Sequence, residues 1–355
     1  MINTTVNLTA ASKRVILIGL MAVLLLVLMV VSLGTGAVPI SPSEIMQVIG
    51  GQLGLVSGTD QTHEVVLFSI RLPRLFLTIL VGAALGLSGA ALQGLFRNPL
   101  VEPGIIGVSS GAALGAIVAI MFLGSWVPAL AAAGKDIIMP VCAFLGSLAA
   151  TLITMKLSRM DGSTQITYLI LAGVAITSMT GAVIGLSIFF ADDVQLRSYT
   201  FWTLGDLSVA TWGTLQTLAG PILLSCAGLL GLGPALNAIA LGEAEAYHAG
   251  VAVEKIKTVV VLCSALAVGT AVAFTGIIGF VGLVVPHIIR IGLSSDHRLL
   301  LPASAIGGGC LLVLADMFAR TVMSPAELPI GVVTALVGTP FFLYLLLATK
   351  KKRMI

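Results

Sequence analysis

The chain has 355 residues, of which 58% are hydrophobic and 9% are charged, with a net charge of +3. A soluble domain carries about 25% charged residues, so this composition excludes a protein whose whole surface faces water. The small net charge gives no indication of a nucleic-acid partner. The four cysteines are scattered through apolar runs without a CxxC or Cys/His cluster, which excludes a disulfide framework or a zinc motif. The chain is predicted to be an all-α, polytopic membrane protein.

Uncharged apolar runs long enough to cross a bilayer recur along the chain. They cover residues 15–38, 75–96, 103–134, 137–155, 162–191, 207–242, 258–289, 299–315 and 328–349. The first run has 24 residues, more than the apolar core of a signal peptide, so we expect a retained span. As one helix, 258–289 would measure about 48 Å, against a bilayer core of about 30 Å. We therefore expect a break near Thr275-Gly276, which gives ten spans.

The basic residues orient these spans. Lys13-Arg14 precedes the first span and Lys350–Arg353 follow the last. The positive-inside rule places both clusters in the cytoplasm, which requires an even number of spans. On this topology thirteen of the 18 Lys and Arg residues lie on the cytoplasmic side and five on the outer side. Both termini are therefore predicted to be cytoplasmic.

Two short motifs predict an internal repeat. Gly104-Ile-Ile-Gly107 recurs as Gly276-Ile-Ile-Gly279, and Gly173-Val174 recurs as Gly331-Val332. Spans 2–5 would then match spans 7–10, with the single span between them inverting the second copy, as in many transporters. Chance matches in a Gly-rich chain remain an alternative, and another register pairs Ser88-Gly89 with Thr275-Gly276.

Two other classes of protein have to be considered. Gly107-x-Ser109-x-Gly111 fits the nucleophile elbow of serine hydrolases, and His287 would make an intramembrane protease conceivable. That elbow needs a strand before the serine, whereas Ser109 lies in a predicted span. An ion-coupled secondary transporter should bury ionisable residues at mid-membrane. The apolar runs contain none, and Asp316 is the nearest.

Six segments in chain order carry a resemblance to a known family. They are Arg71–Arg74, Val81–Ala90, Asn98–Gly104, Gly107–Ala112, Gly279–Arg290 and Leu328–Thr334. These segments resemble the FecCD-type permeases, the membrane subunits of ATP-binding-cassette (ABC) importers for ferric siderophores, haem and vitamin B12. The resemblance runs from the first span to the carboxyl end. It implies one transmembrane domain over residues 1–355, with the type II importer permease fold.

The resemblance also implies location and partners. The chain would lie in the lipid of the bacterial inner membrane and pair with a second copy of itself. Two cytoplasmic subunits would bind ATP and Mg, and a periplasmic binding protein would deliver the cargo. The chain itself would contribute no catalytic residue, cofactor or metal site, and would bind no nucleic acid.

Matching positions imply three groups of functional residues. Docking of the binding protein would use Arg71, Arg74 and Arg320, for which snorkelling helix-end arginines are the alternative. The cytoplasmic gate would use Asn98 and Leu100, with Gln165, Ile166 and Thr167, where Gln-Ile-Thr departs from the family's Ser/Thr run. The coupling segment, about 240–252, would use Leu241, Gly242, Glu243, Ala244, Glu245, His248 and Gly250.

The resemblance also gives an expectation for the cargo. Leu241–Gly250 and Phe201–Asp206 look most like the corresponding segments of haem permeases. Haem is therefore the expected cargo, with a ferric siderophore or vitamin B12 as alternatives. No His/Tyr pair can be assigned to haem iron.

Overall fold

The computed structural model describes residues 10–353 apart from 37, 53, 55–59, 124–134 and 161. The first half contains α1 (Ala10–Gly34), α2 (Pro42–Gln52), α3 (Gln61–Val65), α4 (Leu72–Phe96), α5 (Val108–Val118), α6 (Lys135–Leu157) and α7 (Ile166–Phe190). The second half contains α8 (Asp193–Thr203), α9 (Trp212–Leu230), α10 (Gly233–Leu241), α11 (Glu243–His248), α12 (Val253–Thr275), α13 (Val281–Gly292), α14 (His297–Thr321) and α15 (Ile330–Arg353).

Four short elements complete the secondary structure of the described residues, and one of them is the 3₁₀ turn Pro103–Ile106 before α5. A π-helical turn, Val66–Arg71, joins α3 to α4, and a second, Ala119–Leu123, extends α5. Between α6 and α7 the chain forms an antiparallel hairpin of β1 (Arg159–Met160) and β2 (Ser163–Thr164).

The helices follow the predicted order of spans. Among the described residues, seven helices are long and apolar enough to cross a membrane, and three shorter apolar helices are Val108–Met121, Val281–Gly292 and Ile330–Tyr344. The predicted break is confirmed, because α12 ends at Thr275 and Gly276 follows with φ +69°. The run 207–242 differs from the prediction: α9 ends at Leu230 and α10 is a separate helix.

Small residues allow α4 to lie at the centre of the bundle. A Cβ atom at Gly82 or Gly86 would collide with the backbone of α14, and one at Gly89 with the backbone of α13. Close helix approach of this kind supplies the packing that the hydrophobic effect cannot supply within lipid. The glycines of span 2 therefore serve packing, as expected.

The two copies of the repeat make the same contact. Gly173 of α7 lies against the carbonyl oxygen of Ile105, and Gly331 of α15 lies against the carbonyl oxygen of Ile277. In both copies a non-α-helical segment precedes a short helix, α5 or α13. Phe280, just before α13, has φ +67°, which is unusual for a bulky side chain, and its ring packs on Gly338.

Candidate docking, gate and coupling sites

Three arginines form one cluster, the arginine cluster (Arg71, Arg74 and Arg320). Arg71 donates hydrogen bonds to the carbonyl oxygen of Leu33 in the last turn of α1 and to that of Val38 beyond its end. Arg320 donates to the carbonyl oxygens of Ser32 and Thr35 at 2.8 and 3.0 Å. These two guanidinium groups therefore hold the segment after α1 against α4 and α14.

Arg74 binds two carboxylates within the same cluster. Its Nε and a terminal nitrogen donate to one oxygen of Asp316 at 3.0 and 2.7 Å, and Glu327 accepts from it at 2.8–3.0 Å. Asp316 is buried and lies 3.4 Å from Arg320. Three cations thus face two acids, which leaves one positive charge in excess. The structure brings all three predicted docking arginines together, but it points them toward the chain itself.

A cavity of about 410 Å³ lies between the two copies of the repeat. The non-α-helical segments 102–105 and 277–280 line it, together with α5 and the face of α7 from Gly173 to Ser178. Its polar lining is mainly hydroxyl groups; Ser110 and Thr177 are hydrogen-bonded across it at 3.2 Å.

Glu102 is the acid in the lining of this cavity. Burial raises its pKa above the ordinary glutamate value, and a hydrogen bond from the backbone of Phe280 opposes that rise. The same contact links the loop after α4 to the start of α13. Sequence reasoning did not single out Glu102, because its burial depends on contact with the distant segment that ends at Phe280.

The predicted gate residues lie in the loop after α4 and at the start of α7, and both segments continue into the lining of the cavity. Asn98 accepts a hydrogen bond from the Leu100 amide at 3.0 Å, which tightens the turn, and the Leu100 side chain is exposed. Gln165 precedes α7, and its backbone amide donates to the Ser158 carbonyl oxygen at 3.0 Å. Ile166 and Thr167 begin α7. Their role as a gate stays a prediction.

The serine motif lacks the geometry of a nucleophile elbow. A 3₁₀ turn, Pro103–Ile106, precedes it in place of a strand. Ser110 is bonded to the Gly107 carbonyl and to Thr177. The ring of His287 packs instead against Phe341 and Phe342.

The coupling segment presents an exposed face, here named the coupling surface: Leu241, Ala244, Glu245, Tyr247 and His248. Leu241 is 79% exposed and Tyr247 73% exposed, whereas Ala246 packs inward with none of its surface exposed. Gly242 and Gly250, with φ +147° and +84°, bound the short helix. Tyr247 was missed by sequence reasoning, although an aromatic residue in a polar loop was the available signal.

Glu243 differs from the rest of the segment because it turns inward. Its carboxylate binds Lys257 of α12 at 2.7 Å. Lys257 also binds Glu254 at 2.9 Å, one turn away. Sequence reasoning counted Lys257 only as a cytoplasmic cation, although its spacing from Glu254 is that of a helical ion pair.

A second polar network holds the neighbouring helix α10. Asn237 donates to Asp296 at 2.7 Å and accepts from the backbone of His297 at 2.9 Å. Arg14 of α1 pairs with the same Asp296. Burial tends to raise the pKa of Asp296, but the bonds from Asn237 and the Arg298 amide and the charge of Arg14 outweigh it and lower the pKa.

Known proteins share this architecture. The FecCD transport family matches residues 24–348. A hemin transport system permease of Yersinia pestis is 42% identical over 95% of this chain and 97% of its own length. A vitamin B12 import system permease of Klebsiella pneumoniae is 38% identical over 98% of both chains. A cobalamin import system permease of Halobacterium salinarum is 39% identical over 81% of this chain and 75% of its own.

A solved structure agrees with these relatives. It is described as an inward-facing conformation of a metal-chelate type ABC transporter, with a TM-score of 0.80 and 33% identity over 94% of this chain and 99% of that one. The chain therefore has the fold of an ABC transporter permease. The chain belongs to the FecCD transport family.

Proposed function

We propose that this ABC importer permease carries haem across the bacterial inner membrane into the cytoplasm. The observation that carries the cargo is the extent of the match to a hemin permease, 42% identity over 95% of the chain. The vitamin B12 and cobalamin permeases match at 38–39%, so vitamin B12 is the first alternative cargo and a ferric siderophore the second.

The coupling surface supports the proposal of an ATPase partner. Large apolar side chains exposed on a short extramembrane helix mark an interaction site, and aromatic residues are enriched at interface centres. Leu241 and Tyr247 provide such side chains on either side of the exposed Ala244 and Glu245. Each copy of a homodimer would dock one ATP-binding subunit here, in the cytoplasm.

The arginine cluster is proposed to dock the periplasmic binding protein. The excess of one positive charge over Asp316 and Glu327 supports this role, because a positive patch attracts an acidic partner. Glu327 is partly exposed and bound to Arg74, so an incoming glutamate would compete with it. Docking would then replace an internal ion pair by an intermolecular one.

The ion-coupled alternative has lost its candidate residue. Asp316 was the nearest ionisable group to mid-membrane, and it is paired with Arg74 and Arg320 in the arginine cluster. Its carboxylate is already engaged by two guanidinium groups of the same chain, which makes it a poor site for binding a transported cation.

Reconstitution tests the cargo. Permease, ATPase subunits and binding protein are placed in proteoliposomes, and uptake of haem, vitamin B12 and a ferric siderophore is measured with and without internal ATP. We expect haem to accumulate only with ATP. Accumulation of vitamin B12 or the siderophore in place of haem would contradict the cargo, and ATP-independent uptake would contradict the importer mechanism.

A further inference from the structure

One buried lysine joins the coupling segment to the predicted gate. Lys257 lies in the second turn of α12, and 3% of its surface is exposed. Its Nζ donates to Glu243 at 2.7 Å, to Glu254 at 2.9 Å and to the Thr164 carbonyl oxygen at 2.8 Å. An ammonium group has three donors, and here each one has an acceptor.

Thr164 is held through both of its backbone polar groups. Its carbonyl accepts from Lys257, and its amide donates to the second oxygen of Glu254 at 2.8 Å. Thr164 is the last residue of β2 and directly precedes Gln165. The start of α12 therefore fixes the backbone of the hairpin at the point where the predicted gate segment begins.

Three elements meet at this junction, which comprises Lys257, Glu243, Glu254 and Thr164. Glu243 belongs to α11, Lys257 and Glu254 to α12, and Thr164 to the hairpin before α7. A buried charge that loses a partner is costly, and hydrogen bonds to charged groups are about twice as strong as neutral ones. A displacement of Glu243 therefore favours movement of Lys257 and Thr164 with it over rupture of the junction.

The other side of the coupling segment is anchored separately. Asn237 ties α10 to the start of α14 through Asp296 and His297. The short helix α11 thus lies between a helix bound to α14 and the Lys257 junction. A push on α11 is transmitted to the hairpin through Lys257.

We propose that Lys257 is a positioning residue that transmits displacement of α11, through Thr164, to the predicted gate residues Gln165–Thr167. The inference rests on the proposed function, since it takes the ATPase subunits as the source of the displacement. Lys257 would then provide the mechanical link between the coupling segment and the gate, which neither group of residues provides by itself.

The test compares cargo uptake with ATP hydrolysis in the same proteoliposomes. Lys257→Met keeps most of the aliphatic stem and removes all three charged hydrogen bonds. We expect the complex to assemble and to hydrolyse ATP, while uptake per ATP falls by at least about tenfold, because the loss of even one hydrogen bond to a charged group corresponds to that factor. Lys257→Arg, which still donates, should restore most of the coupling. Lys255→Met, an exposed lysine two residues earlier, is the matched control with wild-type coupling.

A second variant covers the case in which Lys257→Met does not assemble. Glu254→Gln leaves the Lys257–Glu243 pair in place and puts an NH2 donor opposite either the Thr164 amide or the Lys257 ammonium group, so one of these two hydrogen bonds is lost and uptake per ATP should fall by about threefold. Wild-type uptake per ATP in an assembled Lys257→Met complex, or in Glu254→Gln where Lys257→Met fails to assemble, overturns the inference. Failure of the wild-type complex to couple uptake to ATP overturns the proposed function instead.

Discussion

At the predicted outer end of the molecule charged side chains turn inward, whereas at the predicted cytoplasmic end large apolar side chains turn outward. The arginine cluster binds carbonyl groups in and just after the last turn of α1 and two carboxylates of its own chain. The coupling surface leaves Leu241 and Tyr247 more than two-thirds exposed. The comparison shows that charged residues near one end of the molecule can stabilise the fold through contacts within the chain. Large apolar residues that stay exposed on a polar segment indicate an interface with a partner.

The largest effect is expected at the arginine cluster. Asp316→Ala leaves Arg74 and Arg320 without their shared buried partner, and breaking such a pair costs about 3–5 kcal/mol. The free energy of unfolding, measured by denaturant titration in mixed micelles, should fall by that amount. Glu327→Gln is the control, because its carboxylate is partly exposed and such a pair contributes about 0–1 kcal/mol. Equal losses in the two variants would contradict the structural role of the cluster.

A smaller effect is expected within the coupling segment, and it separates two neighbouring glutamates. Glu243→Lys places a second cation beside Lys257, so uptake per ATP should fall by roughly tenfold. Glu245→Lys changes an exposed carboxylate that forms no ion pair with another described residue, and its effect should be less than half as large. Parallel assays of ATP hydrolysis and uptake measure both. A larger loss in Glu245→Lys would show that the inward contact of Glu243 is unimportant.

The smallest effect tests whether the inward-facing arginines also dock the binding protein. Glu327→Gln weakens the internal hold on Arg74, so the binding protein should bind about two- to threefold more tightly and with a steeper dependence on salt. Binding is measured to the permease in nanodiscs at two ionic strengths. Unchanged affinity and salt dependence would leave the cluster with a structural role alone.

Much of the fold could be predicted from the sequence, because the relevant constraints are local. Bilayer thickness requires a break in 258–289, and the break lies at Gly276 as predicted. Gly242 and Gly250 bound a stretch of helix-forming composition in the sequence, and α11 spans Glu243–His248 within it. Gly82, Gly86 and Gly89 recur at helical spacing in span 2, at the positions where α4 approaches α13 and α14.

The contacts of the candidate sites could not be predicted in the same way. Lys257 binds a carbonyl 93 residues earlier in the chain, and no local pattern pairs a lysine with a backbone oxygen. From the sequence alone, Arg71 at a helix end is equally compatible with docking, with snorkelling or with a hydrogen bond inside the chain. The position of the segment after α1 distinguishes these roles, and that position cannot be derived from local sequence. The burial of Glu102 likewise follows from the packing of two distant segments against each other.

The most direct test of this account is the affinity of the ATPase subunit for the permease in nanodiscs. Leu241→Asp combined with Tyr247→Asp removes the two large apolar side chains of the coupling surface. We predict that affinity falls by about 30-fold, as for central interface residues, while the free energy of unfolding is unchanged. Val194→Asp, at an exposed apolar residue of α8, should leave affinity unaltered. Wild-type affinity in the double variant would contradict the assignment of this surface to the ATPase.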